Sequence, residues 1–572
     1  MATTFDKASL ALIPSGVKES KVYSIKPTDG SGDFTFSRGT DTATRVNSSG
    51  LIEKERGNLF TYSNDFSNAA WTKVRSSVSS GATDPFGGSN AWSFLADTSA
   101  DQQHYVNATI SQSGVGTLSI YAKANGYNWL RLRLPSEEAY FNLADGETGS
   151  STTGISASIT DAGGGWYRCE VAISDMSSST SVFIHIAEGD GDIIIGGTPS
   201  GTDGLYIYGA QLEQGLVATD YIETTTAAVY EGITDNLPRL DYSGGASCPS
   251  LLLEPSRTNV VAQSEYFDGW IKTTNGTGVT PVVIQNDAIS PEGVQNASKI
   301  TFDVAGGTTS SDWSLITLNV SGLTSGASYV SSVYLKGENG GEEVLVRSVG
   351  GSYKKHTLTT EWERYDFLET SAGTSYTADI GIRKSVGHTI NSSATIYAYG
   401  FQSELGSYPT SYIPTYGTSA SRSEDSCSKT GITDLIGQTE GTLFIETDFT
   451  NTSGTQVLFS AHDGAANKRL EIWSNNDVVN GFIGGSVNIA VGNTTISNGV
   501  HKIALAYKSG DSVFYVDGVQ IGTSATSFTI SALTTLAFKQ YTGLLKPTEG
   551  TKQTLVFKTR LTNAELAAIT TI

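Results

Sequence analysis

Two carboxylates held at a set separation can cleave a glycosidic bond, one as acid and the other as base or nucleophile. The acidic groupings of this chain are Glu137-Glu138, Glu188 with Asp190 and Asp192, Glu342-Glu343, and Glu361 with Glu363. Each reads first as a solvated strand end or loop. No Gly-x-Ser-x-Gly elbow offers a serine nucleophile, and no Gly-x-x-x-x-Gly-Lys-Ser/Thr loop offers a phosphate cradle. His104, His185, His356, His388, His462 and His501 lie apart from one another, and His462-Asp463-Gly464 is a turn signal before it is a proton-transfer pair. Asp190-Gly-Asp192 presents the loop oxygens that calcium takes, but two acids are too few for a site. The expectation is a chain without enzymatic activity, metal or cofactor.

Sugar recognition asks for different residues: an aromatic ring to stack on the apolar face of a pyranose, beside amides or guanidinium groups for its hydroxyls. Trp129 with Arg131 and Arg133, Tyr140, and Trp473 with Asn475 and Asn476 have those types at close spacing. Trp129, Arg131, Tyr140, Trp473 and Asn475 are therefore the candidate glycan-binding residues. Trp71, Trp270, Trp166 and Trp362 recur at matched positions of an internal repeat, which points to core packing instead.

Composition says what holds these side chains. The 572 residues include 63 Gly and only 2 Met, and 38% are hydrophobic against 16% charged. That balance fits many short strands joined by tight turns, and it is too apolar for a disordered chain. With 36 basic and 57 acidic residues the net charge is −21. Nucleic acid is excluded as a partner, because phosphate binding needs clustered Lys and Arg. The first residues show no basic stretch leading into an apolar one, and no run of about 18 apolar residues occurs. Neither an export signal nor membrane insertion is expected. Cys169, Cys248 and Cys427 form no ligand cluster or disulfide framework, and each is expected inside a sandwich.

Period-two alternation dominates, as in Leu130-Arg-Leu-Arg-Leu, Val182-Phe-Ile-His-Ile and Val513-Phe-Tyr-Val-Asp-Gly, so the fold is predicted to be all-β, built of antiparallel sandwiches. A helix is credible only near the end, where Thr562 or Asn563 could cap Ala564-Glu-Leu-Ala-Ala-Ile. Asn58 to Trp71 answers Asn259 to Trp270, and Ile120-Tyr-Ala-Lys answers Val333-Tyr-Leu-Lys. Tyr208-Gly-Ala-Gln-Leu-Glu with Tyr221-Ile answers Tyr399-Gly-Phe-Gln-Ser-Glu with Tyr412-Ile. Such matches in one order, the last two at the same offset of 191 residues, mark two copies of one module. The division expected is an arm at 1–57, a jelly-roll sandwich at 58–228, a lead-in at 229–250, a second jelly roll at 251–424 and a third sandwich at 425–572. Residues 1–57 are too short and too Gly/Ser-interrupted for a core of their own, so they are expected to order on another protein.

From about residue 430 the His501-Lys-Ile-Ala-Leu-Ala-Tyr strand, the Val513-Phe-Tyr-Val-Asp-Gly hairpin and the closing Leu561-Thr-Asn-Ala-Glu-Leu segment resemble a laminin-G-like or concanavalin-A-like sandwich. Asp33-Phe-Thr-Phe-Ser-Arg-Gly-Thr, Gly50-Leu-Ile-Glu and Asn58-Leu-Phe-Thr-Tyr-Ser resemble the front of tailed-bacteriophage virion proteins. So do Pro238-Arg-Leu-Asp-Tyr and Ser250-Leu-Leu-Leu-Glu-Pro-Ser-Arg-Thr-Asn259. The resemblance implies a fibre or appendage on a phage head or tail, with carbohydrate-binding-like jelly rolls that adhere to host-surface polysaccharide. It further implies that residues 1–57 contact other virion proteins, and a homo-oligomer, a trimer by analogy with viral fibres. The protein would sit on the virion surface after synthesis in the host cytoplasm and release by lysis. Two other readings are a polysaccharide-degrading tailspike and a ligand-free capsid decoration protein.

Overall fold

Alternation along the chain becomes layers in the computed structural model, which describes residues 4–572 except 135–136, 154, 177–179, 385–386, 451–453, 467, 531 and 541–548. The fold is all-β, in antiparallel sheets stacked as sandwiches. In strand Trp129–Arg133, Leu130 and Leu132 are fully buried on the inner face. The same rule sets Val182, Ile184 and Ile186 inward in Thr180–Ala187. The Asp517-Gly518 turn joins Ser512–Val516 to Val519–Ser524 with both residues at positive φ, 51° and 80°. Helix Asn563–Thr570 begins at Thr562, whose side chain accepts from the Glu565 N–H while the Glu565 carboxylate accepts from the Thr562 N–H.

The first sandwich stacks one sheet of Ser156–Gly163, Trp166–Met176, Gly114–Asn125, Gly204–Gln214, Ala91–Ala96 and Ser76–Ala82 on another. That other sheet runs Glu147–Ser151, Glu138–Asn142, Trp129–Arg133, Thr180–Ala187, His104–Ile110 and Thr72–Val74. The second sandwich repeats this plan with Tyr353–Thr357, Glu343–Arg347, Ser375–Arg383, Trp313–Ser321 and Ile271–Asn275 in its matching sheet.

The repeated motifs do the same work in both copies. Trp71 Nε1 donates to the Tyr62 carbonyl at 2.9 Å and Trp270 Nε1 to the Gln263 carbonyl at 3.1 Å, each indole against phenylalanine rings of its own core. Tyr221 and Tyr412 share hydrogen bonds of 2.7 Å with Ser63 and Ser264. The Gln211 and Gln402 side-chain carbonyls accept the Ile222 and Ile413 N–H groups, each at 2.7 Å. The Tyr-Gly-x-Gln-x-Glu and Tyr-Ile pieces are thus a structural latch.

The N-terminal segment departs from the expectation. The described residues 4–57 pack within this chain: Leu10–Leu12 pairs with the last strand, Glu549–Phe557, and Phe34–Ser37 pairs with Ser426–Thr430. Leu10, Leu12, Val22, Phe34 and Phe36 are buried in the core of the C-terminal sandwich with Leu443, Phe459 and Phe514. The lead-in at 229–250 and the residues after it are no simple linker either. Ser250–Leu253 adds to the same last strand, and Leu251 and Leu253 enter the same core. The apolar side chains in these short pieces explain the outcome, since a strand borrowed from elsewhere buries them without a core of its own. Around residue 50 the chain instead lies on the second sandwich, where the Ile52 N–H donates to the Pro291 carbonyl and Thr44 Oγ1 to the Tyr412 carbonyl. Where these segments converge, buried Arg38, Arg239 and Arg422 neutralise buried Glu254 and Asp425. The chain therefore has three large cores laced together by crossing segments, rather than a row of independent units.

Of the cysteines, Cys169 and Cys427 are buried, but Cys248 is exposed, against expectation, in the loop before Ser250–Leu253.

Candidate glycan-binding face

Because Leu130 and Leu132 face inward, Trp129, Arg131 and Arg133 must face away from the first core. Register places Arg131 between Tyr140 on one neighbouring strand and His185 on the other, and His185 is opposite Tyr105 one strand further on. Tyr140, Arg131, His185 and Tyr105 thus form one row across four strands. Trp129 stands one step along in register with Asn142 and Ala187, and Arg133 one step the other way, with Glu138 and Phe183.

The guanidinium of Arg131 lies 5.7 Å from the Tyr140 ring centroid, and that of Arg133 lies 5.0 Å from the Phe183 centroid. Tyr105 and Phe183 rings flank the His185 imidazole at 4.8 and 5.8 Å. Glu138 Oε2 accepts from Arg131 Nε at 2.9 Å and from Arg131 Nη2. The remaining polar atoms have no partner: Arg131 Nη1, the Tyr140 hydroxyl, and both ring nitrogens of His185. These residues are only 3%, 2% and 1% exposed. Burial, seconded by Arg131 and Arg133, pushes the His185 pKa well below its usual value, so the ring is neutral and offers one donor and one acceptor. Burial also raises the Tyr140 pKa, helped by Glu138, Asp192 and Asp190. The phenol keeps its proton.

The loop after Thr180–Ala187 crosses this face. Asp190 Oδ1 accepts from the Ser150 N–H at 2.7 Å and its hydroxyl at 2.8 Å, tethering the loop to the far strand of the sheet. Gly149 is required beneath it, since a Cβ there would meet Trp129 Cζ3 at 2.6 Å and Asp190 Oδ1 at 2.4 Å.

Trp129, Arg131 and Tyr140 are therefore brought together on one face, with a correction. Arg131 and Tyr140 are not exposed flanking groups, because cross-strand packing buries them, and only Trp129 is half-exposed. Trp473 and Asn475 lie elsewhere, on strand Arg469–Asn475 of the C-terminal sandwich, with Trp473 half-buried and Asn475 exposed. They do not join this site. His185 reads from the sequence only as a packed or surface strand residue, and neither Phe183 nor Tyr105 carries a signal of this site. Alternation alone turns His185 outward, but its place beside Arg131 comes from pairing between strands some fifty residues apart.

The acidic groupings are otherwise engaged. Glu138 holds Arg131, Glu343 holds Lys355 at 2.8 Å, and Glu188 accepts from the Gly196 N–H at 3.0 Å. Among the described residues no group of three or more His, Cys, Asp or Glu is placed to hold a metal ion.

No family model matches the chain, and no curated protein does. Among solved structures, a Ruminococcus gnavus IT-sialidase CBM40 bound to alpha2,3 sialyllactose is 16% identical over 24% of this chain and 84% of its own, with a TM-score of 0.21. Domain 4 of AbnA, a GH43 extracellular arabinanase from Geobacillus stearothermophilus, in complex with arabinotriose, is 16% identical over 29% of this chain and 81% of its own, with a TM-score of 0.22. The CBM22-1-CBM22-2 tandem domain of Paenibacillus barcinonensis Xyn10C is 11% identical over 61% of this chain and 96% of its own, with a TM-score of 0.20.

Proposed function

We propose that the chain is a non-enzymatic structural protein of a tailed-phage virion, a head or tail fibre or appendage that adheres to host-surface glycans through the outward face of its first sandwich. One observation carries the adhesive half: beside Trp129 lie four buried polar atoms, on Arg131, Tyr140 and His185, that no group of the protein satisfies. Buried polar groups in native proteins are almost always paired with protein or ordered water, so unpaired ones ask for a partner. A sugar supplies both halves at once, hydroxyls for the orphaned atoms and a C–H face for the indole. Many copies on one particle would multiply a weak single contact. The virion half rests on the resemblance of residues 33–63 and 238–259 to phage virion proteins.

A glycan array probed with the intact protein tests adhesion. The expected result is a defined set of bound glycans, lost in Trp129→Ala and kept in Trp473→Ala. Binding that survives Trp129→Ala, or none at all, would refute it. Immunogold labelling of intact particles with an antibody to the C-terminal sandwich tests the location: label on head or tail supports the virion reading, and its absence removes it.

A further inference from the structure

The other sheet of the first sandwich carries an outward aromatic cluster of its own, and the sibling sandwich shows what such a cluster takes. Strand register matches the two residue by residue. Tyr121 stands opposite Arg168 and Tyr208, and Tyr334 opposite Arg364 and Tyr399; Lys123 is opposite Tyr206, as Lys336 is opposite Tyr397. Both arginines lie over their tyrosine, at 5.4 Å in the first sandwich and 5.5 Å in the second. Ala91, Tyr121, Trp166 and Tyr208 pack together in the first as Ala297, Tyr334, Trp362 and Tyr399 do in the second. The second cluster has one further member, Ile52, brought by the segment that crosses over from before the first sandwich. The Ile52 N–H donates to the Pro291 carbonyl at 2.8 Å, and Leu51 lies over Gly293, where a Cβ would meet Leu51 Cδ1 at 2.7 Å. Under this cover Tyr399 and Tyr412 are buried.

The first sandwich presents the same face open. Asp84-Pro-Phe-Gly answers Ser290-Pro-Glu-Gly in the loop beside it, and the Gly87 N–H donates to the Asp84 carbonyl at 3.2 Å as the Gly293 N–H does to the Ser290 carbonyl at 2.9 Å. Yet a Cβ on Gly87 would meet no described atom within 4 Å. Phe86, in the place of Glu292, sets its ring edge-on to Tyr121 and Tyr208 at 5.6 and 5.9 Å and is still 69% exposed. Tyr208 and Tyr221 are only half-buried. We propose that this face docks an extended segment of another protein, seated on Tyr121, Tyr208 and Phe86 as residues 44–54 are seated on the second sandwich. Exposed apolar clusters of this kind mark interaction surfaces. The differences between the two faces define the partner. An aliphatic side chain belongs over the tyrosines, where Ile52 lies in the sibling. A lysine does not fit at the place of Lys54, which Glu265 and Glu292 hold in the second sandwich. Asn64 and Phe86 stand in those places here, and Asn64 is engaged by the Asn90 carbonyl and the Gly209 N–H, so a buried cation would lack a counter-charge. An apolar residue there continues the contact with Phe86. Exposed Asp220 and Glu223 replace Ser411 and Pro414 at the rim and call for basic residues flanking the apolar pair.

Fluorescence anisotropy of the intact protein with a labelled synthetic peptide tests this, the probe being the sequence of residues 43–56 with Lys54→Leu. One peptide should bind per chain, at least tenfold tighter than the same peptide with Ile52→Asp. Phe86→Ser should melt no lower than the parent, since the ring is exposed, and should bind the probe at least tenfold more weakly. Gly87→Asn, which puts a side chain where Leu51 lies in the sibling and keeps a residue that tolerates positive φ, should weaken binding as much. It carries the test alone should Phe86→Ser fail to fold. Trp473→Ala, on the C-terminal sandwich, should bind the probe like the parent. A probe that does not bind, or binding that either variant of the loop leaves unchanged, would overturn the proposal. An array glycan whose binding is lost in Phe86→Ser would make the face a sugar site and overturn it as well.

Discussion

Lys54 Nζ lies 2.6 Å from Glu292 Oε1, although Lys54 precedes the first sandwich and Glu292 belongs to the second. Glu265 completes the group at 3.1 Å, with all three side chains almost wholly buried. Burial opposes the charge on Lys54, but Glu265 and Glu292 outweigh it and hold its pKa well above the usual value. Lys54→Met would leave two carboxylates facing each other without a cation, and removing one partner of a buried pair costs about 3–5 kcal/mol. Chemical denaturation should show that loss. Lys54→Met combined with Glu265→Gln and Glu292→Gln should recover part of it.

Leu10 and Leu12 bury their side chains in the C-terminal core at the opposite end of the chain. Leu10→Ala should cost about 2–5 kcal/mol, as truncation of a packed leucine does. Deleting residues 1–13 should lower the melting temperature further. An N-terminus that orders only on another protein would leave both measurements unchanged.

Glu55 has its pKa raised to about 8, first by burial and then by Asp41 and Asp235. Between its ordinary value near 4.5 and 8, the folded protein keeps a proton that the unfolded chain releases, so this group's contribution to stability is lost as pH rises through that window. Glu55→Gln should therefore melt higher than the parent at pH 9 and match it at pH 4. Melting curves at the two values suffice, and a difference of the same size at both would refute the assignment.

Thiol labelling reads the fold directly. Cys248 is exposed, whereas Cys169 and Cys427 are buried and burial pushes both thiols up. One of the three should react with an aromatic disulfide reagent at once in the native protein, and the other two only on unfolding.

Local pattern carried far here. Alternation in Trp129–Arg133 and Thr180–Ala187 was legible because a half-buried strand writes its two faces into every second residue. The equivalence of Trp71 and Trp270 was legible because a repeated core repeats its anchors. Pairing between distant segments was not. Nothing near Leu10 says that its partner is Val556, or near Leu251 that its partner is Thr551, since strand pairing depends on topology. For the same reason Trp129, Arg131 and Tyr140 could be picked out by type, but Tyr140 could not be known to be buried, nor His185 to be their neighbour. The exposure of Cys248 was equally hidden, for a small apolar residue is buried only if its loop is.

The central claim is that one face per chain binds a glycan, the outward face of the first sandwich around Trp129. The stoichiometry of binding measures this most directly, by titrating the intact protein with whichever oligosaccharide the array selects. One site per chain, abolished by Trp129→Ala and unaffected by Trp473→Ala, is the result expected. Two equivalent sites, or one that survives Trp129→Ala, would contradict it.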